Sequence, residues 1–415
     1  MRLRWYGNCV AHLASRIAPS ERAQCVFRQG GATESEPEAV PGHDIIVIGA
    51  SAGGVEATSR LVRDLPKSLP AAVFIVIHMP EDASSMLARI LDRAGPLPAS
   101  PAMDGQPIMP GHIYVAVPDR HLLVGHGTVH VVHGPRENRT RPAVDPLFRT
   151  AALNYGSRVI GVVLTGALDD GTAGLLAIKR RGGLAVVQDP RDALIPSMPE
   201  SAIEYVDVDA VLPLDQIGSR LAEMVAQPAD EARASGVPRD MDLEARLVAM
   251  DGIAMGTDDR PGTLTGYTCP ECKGPLWEMR DGQLLRFRCR TGHAFTVEAM
   301  LAGQEEAVEQ ALWTALNVLE ENQRIADRLA ADARQRNAVH LARRLEERAH
   351  DKLKKAEVLR RVLLGTTQEA VRDIEAERAA ESNGQRPSSA KRARDTRGAS
   401  GESEPGATSG ETPDA

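Results

Sequence analysis

The chain has little that would carry it into a membrane, an oxidising compartment or a nucleic-acid groove. No run of about eighteen apolar residues occurs in its 415 residues, so a membrane-spanning helix is not expected. A surplus of basic charge is missing too. The 49 Lys and Arg face 57 Asp and Glu, giving a net charge of -8 and a pI near 5.8, which argues against a nucleic-acid partner. Cysteine is scarce and odd in number, at five, which excludes a closed disulfide framework and makes a reducing cytoplasm the expected setting. The N-terminal stretch "MRLRWYGNCVAHLASRIAPSERAQCVFRQGG" is basic, but Arg16, Glu21 and Arg22 interrupt any apolar region, so a secretory signal is not expected.

What is present falls into six parts. Residues 1–42 end in a linker-like "GGATESEPEAVPG" and read as a disordered extension or a misassigned start. From residue 43 to 227, apolar runs ("DIIVIG", "AAVFIVI", "HIYVAV", "RVIGVVLTG", "GLAVVQ") alternate with segments of helical period, which predicts an α/β fold with a doubly wound, mainly parallel sheet. The stretch "HLLVGHGTVHVVHG" alternates about a Gly-Thr turn and predicts an added β-hairpin. A polar linker over 228–266 with room for one short helix, a compact segment over 267–296, a helical hairpin over 297–366 and a largely disordered tail over 367–415 complete the division.

The corner "IIVIGASAGG" at 45–54 leads from a strand into a helix and so faces a ligand. A dinucleotide fingerprint would need glycine where Ser51 stands, because a side chain there blocks the pyrophosphate. Read as G-x-S-x-G, with Gly49, Ser51 and Gly53, the corner is a nucleophile elbow; alone, it is equally a turn serine capping a helix. A nucleophile needs a base and a group to orient it, and distant segments converge at the carboxyl edge of a parallel sheet. His78 follows the second apolar run, and Asp169 and Asp170 follow "RVIGVVLTG", so three strand ends supply Ser, His and Asp. Their chain order differs from the Ser, acid, His order of the α/β-hydrolases, which points to a hydrolase of another fold.

In order and spacing, "IGASAGG", "IHMP", "DGQPIMPGHIYVAVPDRHLLV", "RPAVDPLFRTAA" and "LTGALDDGTAG" resemble the catalytic domain of the bacterial chemotaxis receptor methylesterases, the CheB type. The resemblance covers about 43–227. It implies a protein-glutamate methylesterase, in many members also a glutamine deamidase, with Ser51 as nucleophile, His78 as base and Asp170 as the orienting acid. Backbone amides at Ala167 and His78 are the implied oxyanion donors, and no cofactor is implied for catalysis. The chain departs from the family in having Ala52 where Thr is usual, and Ala167-Leu168 where Met-Gly is usual. Residues 1–42 are too short for the receiver domain that full-length members carry, so a stand-alone form is expected. Methylated chemoreceptor-like proteins are the implied partners, with a methyltransferase or kinase of the same signalling system as further ones. A catalytically silent scaffold acting through its helical region is the competing reading.

Three further expectations come from the residues alone. Arg136, Arg139 and Arg141 in "HGPRENRTRPAVD" form a basic loop, either merely solvated or docking the acidic face of a substrate protein. Cys269-x2-Cys272-x16-Cys289-x3-His293 has the ligand types and spacing of a closed tetrahedral zinc site, a zinc-ribbon-like segment whose metal is structural and separable from the esterase. Val308, Leu312, Leu316 and Leu319, with Leu341, Leu345, Leu353, Ala356 and Leu363, recur at helical spacing and predict two helices joined near Arg336 or Asn337, which either bury their stripes against each other or leave one stripe to recruit a partner helix as a coiled coil.

Overall fold

The computed structural model describes residues 42–83, 86–230, 236–250, 252 and 260–382. The expectations placed on 1–41 and 383–415 lie outside the described residues. The first half of the chain alternates strand and helix: β1 (Ile45–Ala50), α1 (Gly54–Arg63), β2 (Ala72–Ile77), α2 (Leu87–Ala94), β3 (Ala99–Pro101) and β4 (Ile113–Val115). A hairpin, β5 (His121–Val124) with β6 (Val129–Val132), precedes α3 (Val144–Tyr155). Alternation then resumes with β7 (Val159–Val163), α4 (Thr172–Arg180), β8 (Leu184–Gln188), α5 (Ser197–Tyr205), β9 (Ala210–Leu212) and α6 (Leu214–Val225).

Seven of these strands form one sheet in the order β3-β4-β2-β1-β7-β8-β9, every pairing parallel. The β-branched runs "IIVI" and "VFIVI" are buried on both faces, as central parallel strands between helices require. One face packs Ile46, Ile48, Val73 and Ile75 against Leu61, Leu91, Ile217 and Leu221 of α1, α2 and α6. The other packs Val47, Phe74 and Val76 with Phe148, Leu175 and Met198 of α3, α4 and α5. The chain moves outward from β1 to one side through β2 and to the other through β7, so the order reverses between β1 and β7. That switch point is where a doubly wound sheet opens a crevice at its carboxyl edge.

The segment read as a linker contains α7 (Arg239–Val248), which buries Met241, Leu247 and Val248 and belongs to the packed body. A four-stranded antiparallel sheet follows: β10 (Thr263–Thr268), β11 (Pro275–Asp281), β12 (Leu284–Cys289) and β13 (Ala294–Thr296). Two long helices close the described chain, α8 (Val297–Gln335) and α9 (Val339–Ser382), joined at Arg336 and Asn337, the latter left-handed at φ 56°. The second helix continues past residue 366, where the sequence reading ended it. The buried seam of this hairpin is narrower than the apolar stripes. Leu316 packs with Ala356 and Leu363, and Ala326, Ala330, Ala333, Ala342 and Ala349 are also buried. Val308, Leu341 and Leu353, expected on the seam, are exposed instead, because alanines at heptad spacing bring the backbones together one helical position away.

Candidate active site

Ser51 follows the last residue of β1, and its surroundings explain both glycines of the elbow. A Cβ on Gly49 would overlap the side chain of Val144, so α3 can approach β1 only over a bare backbone. Gly53 sits at φ 78°, a left-handed turn that glycine adopts without strain, and it releases the chain into α1. The Ser51 amide donates to the Thr165 carbonyl (3.0 Å) and the Ser51 carbonyl accepts from Gly54 N (2.8 Å), which holds the hydroxyl at the sheet edge.

His78 follows β2, the neighbour of β1, and Asp170 lies in the loop after β7, the neighbour on the other side. The three side chains meet in one line. His78 Nδ1 stands 3.0 Å from Ser51 Oγ, and His78 Nε2 stands 2.7 Å from Asp170 Oδ2. With the carboxylate accepting at Nε2–H, Nδ1 is left as the acceptor facing the serine hydroxyl. Asp170 is buried, and four donors surround it: His78 Nε2, Val144 N (2.7 Å), Asp145 N (3.1 Å) and Asn138 Nδ2 (2.9 Å). Burial pushes its carboxyl up, but the His78 hydrogen bond and charge, with the Val144 and Asn138 donors, hold it below the usual carboxylate range.

Two further acids flank it. Asp145 is wholly buried and accepts from Gly171 N (3.0 Å), Gly174 N (2.7 Å) and Asn138 Nδ2 (2.9 Å); burial and then the neighbouring Asp170 push it up to about 8. Asp169 accepts from Thr296 Oγ1 (2.7 Å) and is pushed up to about 7, first by burial. Asn138, Asp145 and Thr296 were not among the residues singled out from the sequence. Asn138 and Asp145 sit in the arginine loop and at the start of the helix after it, where the charged side chains are the stronger sequence signal.

Among the implied oxyanion donors, the His78 amide has to be given up: it donates to the Ala50 carbonyl (3.2 Å) as a rung of the parallel ladder. The Ala167 amide has no acceptor among the described residues, and neither has that of Ala52, directly after the serine. Leu168, where the resemblance implies glycine, adopts the left-handed conformation anyway, at φ 61°.

The arginine loop differs from its expected role. Arg136 pairs with Glu81 and Glu271, Arg139 with Glu306, and Arg141 with Asp119 and the Gly134 carbonyl. The groove beside it is lined by Glu271 and Glu306 as well as by Arg136, Arg139 and Lys273, so it is mixed in charge and not a basic docking face. Glu271 and Glu306 belong to the Cys-rich sheet and to α8, the two parts of the chain expected to stand apart from catalysis.

Those parts are joined to the catalytic body by a buried ion cluster. Arg288, on β12, donates to Glu137 (2.8 Å), Glu244 (3.1 Å) and the Gly292 carbonyl (2.8 Å). Arg286 donates to both oxygens of Glu244 (3.0 and 3.1 Å) and to Asp281 (2.7 Å), and Arg149 of α3 donates to both oxygens of Glu137 (2.6 and 2.7 Å). Cys269, Cys272, Cys289 and His293 come together with all four ligand atoms within 4.8 Å of one another. The Cys272–Cys289 sulfur separation is 3.7 Å, and His293 Nδ1 lies 3.7 Å from Cys269 Sγ and 3.4 Å from Cys289 Sγ. Edges of a tetrahedron built on zinc–sulfur and zinc–nitrogen bonds of about 2.3 and about 2.0 Å are about 3.5–3.8 Å, so the donor set fits that ion in type and spacing. The contact between Cys269 and Cys289 drives the Cys289 thiol down to about 3 and the Cys269 thiol up, as expected where one proton serves two crowded sulfurs.

Residues 46–221 match the family model described as CheB methylesterase. A putative protein-glutamate methylesterase/protein-glutamine glutaminase of Leptospira interrogans is 43% identical over 176 residues, 42% of this chain and 91% of that protein. The chain belongs to the CheB methylesterase family. It is also similar to the protein-glutamate methylesterase/protein-glutamine glutaminase 2 of Rhizobium johnstonii, 39% identical over 42% of this chain and 48% of the relative. The corresponding protein of Caulobacter vibrioides is 37% identical over 51% of this chain and 62% of the relative. The chain thus spans about half the length of several curated CheB relatives it matches. The crystal structure of the Thermotoga maritima CheB methylesterase catalytic domain aligns at 37% identity and a TM-score of 0.43, covering 45% of this chain and all of that one. Among the described residues no helix is long and apolar enough to cross a membrane.

Proposed function

We propose that the protein hydrolyses glutamate methyl esters on methylated chemoreceptor-like proteins, and glutamine side chains of the same proteins, through an acyl-enzyme on Ser51. The single observation that carries this reading is the hydrogen-bonded line Ser51 Oγ, His78 Nδ1, His78 Nε2, Asp170 Oδ2 at a sheet switch point. Ser51 Oγ attacks the ester carbonyl carbon while its proton passes to His78 Nδ1, and Asp170 stabilises the imidazolium that forms. The amides of Ala52 and Ala167 face no acceptor among the described residues and are available for the developing oxyanion. Collapse expels methanol, which takes the proton from His78; a water activated by the same imidazole then releases the glutamate. With glutamine the leaving group is ammonia and the later steps are the same.

A zinc ion held by Cys269, Cys272, Cys289 and His293 belongs to this reading as a structural part. Four protein ligands close its coordination, so it supplies no Lewis-acid chemistry to the ester. The wild type is expected to react with a serine-directed fluorophosphonate and to release methanol from a methylated receptor fragment. Ser51→Ala should lose both, with turnover down by at least about 10³-fold. A wild type that neither labels nor hydrolyses, while folded, would favour the silent-scaffold reading instead.

A further inference from the structure

The catalytic acid is gripped from two sides, and one of them is the Cys-rich sheet. From its own domain Asp170 receives the first amides of α3, Val144 N and Asp145 N. From the other side it receives Asn138 Nδ2, and Asn138 is held by β13 and not by the catalytic sheet. Its backbone N–H donates to the Ala294 carbonyl (2.8 Å), and its side-chain Oδ1 accepts from Thr296 N (3.1 Å). An asparagine amide can present either its oxygen or its NH2 in a given direction. Here the Thr296 N–H engages the oxygen, which turns the NH2 toward Asp170 Oδ1 and Asp145 Oδ2, each at 2.9 Å. Asn138 also sits at φ 48°, a left-handed conformation that asparagine tolerates better than most residues but that still needs external support.

The support leads to the metal ligands. Strand β13 begins directly after His293, pairs with β12 through Arg288 and Ala294, and β12 ends at Cys289. The turn between them is closed by Cys289 N to the His293 carbonyl (2.9 Å) and Gly292 N to the Cys289 carbonyl (3.0 Å). Two of the four ligands therefore bracket the turn that delivers Ala294 and Thr296 to Asn138. We infer that Asn138 is a positioning residue for Asp170, and that a divalent metal, zinc by its ligands, bound at Cys269, Cys272, Cys289 and His293 keeps Asn138 in place, so that the Cys-rich sheet is a working part of the esterase site. This rests on the triad reading above.

The consequence of losing the link is chemical. Without the Asn138 NH2, Asp170 and Asp145 face each other as buried carboxyls with one fewer shared donor. Asp145, whose carboxyl already favours the protonated form, is then free to turn toward the Asp170 Oδ1 that Asn138 has left, and a carboxylate engaged with Asp145 is a poorer acceptor for His78 Nε2–H. The imidazole loses its fixed tautomer, which affects the chemical step and not the binding of substrate. Asn138→Gly tests this in the full chain, since glycine keeps the left-handed backbone while removing only the amide. Expected are a kcat lower by about 10–100-fold with KM within about twofold, fluorophosphonate labelling of Ser51 slowed in proportion, and metal content by elemental analysis unchanged at about one per chain. Cys289→Ser should lose the metal and give the same split between kcat and KM. Adding Asn138→Gly to it should cause little further loss, because both changes break one link. The inference is overturned if Asn138→Gly turns over and labels as the wild type does, if metal-free Cys289→Ser protein with a folded catalytic body keeps the wild-type kcat, or if the two losses multiply. Failure of the parent reading looks different: there the wild type itself does not label at Ser51.

Discussion

Replacing Arg288 by methionine isolates the contact that holds the Cys-rich sheet to the catalytic body. The residue is 1% exposed, and its guanidinium serves Glu137, Glu244 and the Gly292 carbonyl at once. Within the cluster three cations, Arg149, Arg286 and Arg288, balance three carboxylates, Glu137, Glu244 and Asp281, and all six side chains are almost fully buried. Burial alone would push Glu244 up, yet Arg286, Arg288 and Arg149 hold it well below the usual carboxylate range. Methionine keeps most of the side-chain stem, so lost packing is small and the change is chiefly one of charge. Deleting one member of a buried ion cluster leaves an uncompensated charge and costs about 3–5 kcal/mol, a large share of the roughly 5–15 kcal/mol that stabilises a folded domain. Urea denaturation followed by circular dichroism should register that loss. The double change Arg288→Met with Glu137→Gln should lose less than the sum of the two single changes, because the second removes a charge the first has stranded. A loss below about 1 kcal/mol for Arg288→Met would mean that the sheet is not seated by this cluster, and the reasoning that joins it to the site would lose its energetic basis.

Asp169, pushed up to about 7 by burial, with Glu298 and Asp170 adding repulsion and Thr296 opposing, binds more protons folded than unfolded between about pH 4 and 7. Stability therefore falls as pH rises through that window, by up to about 1.4 kcal/mol per unit from this group, and Asp169→Asn should flatten the fall of Tm between pH 5 and 7. A slope equal to that of the wild type would refute the assignment. Leu316→Ala, at the packed seam of the long hairpin, should cost about 2–4 kcal/mol in helix unfolding monitored by circular dichroism and leave ester hydrolysis within twofold, since Leu316 packs with Ala356 and Leu363 and not with the catalytic body. A comparable loss of turnover would mean that the hairpin reaches the site.

The parts of the site that sit on strand ends were legible because the chemistry of a parallel sheet is one-dimensional. Alternating apolar runs name the strands, their carboxyl ends name the edge, and the side chains one step beyond, Ser51 and His78, are the ones that converge there. Asp170 was legible for the same reason, although Asp169 beside it was distinguished only by the resemblance. The implied oxyanion donors were harder. Whether a backbone amide is free depends on the register of its neighbour, and the pairing of His78 N with the Ala50 carbonyl is a property of the ladder between β1 and β2, not of any residue type.

The link between the Cys-rich sheet and the triad left no signature of that kind. The ligand spacing from Cys269 to His293 announces a metal, and the serine elbow announces a nucleophile, but nothing in either motif refers to the other. What joins them is a backbone amide at Thr296, a backbone carbonyl at Ala294 and one asparagine, 158 residues before Thr296 in the chain. Main-chain groups are the same at every position, so a contact built from them cannot be read from composition. Glu137 and Glu244 lie in a loop and a linker that read as polar, and Arg286 and Arg288 in the compact Cys-rich segment, yet each is at most 5% exposed. A module that needed to be independent would meet its neighbour through a wet, weakly paired face. This one meets it through a dry, charge-balanced cluster next to Asn138, the kind of contact expected of two parts that fold together.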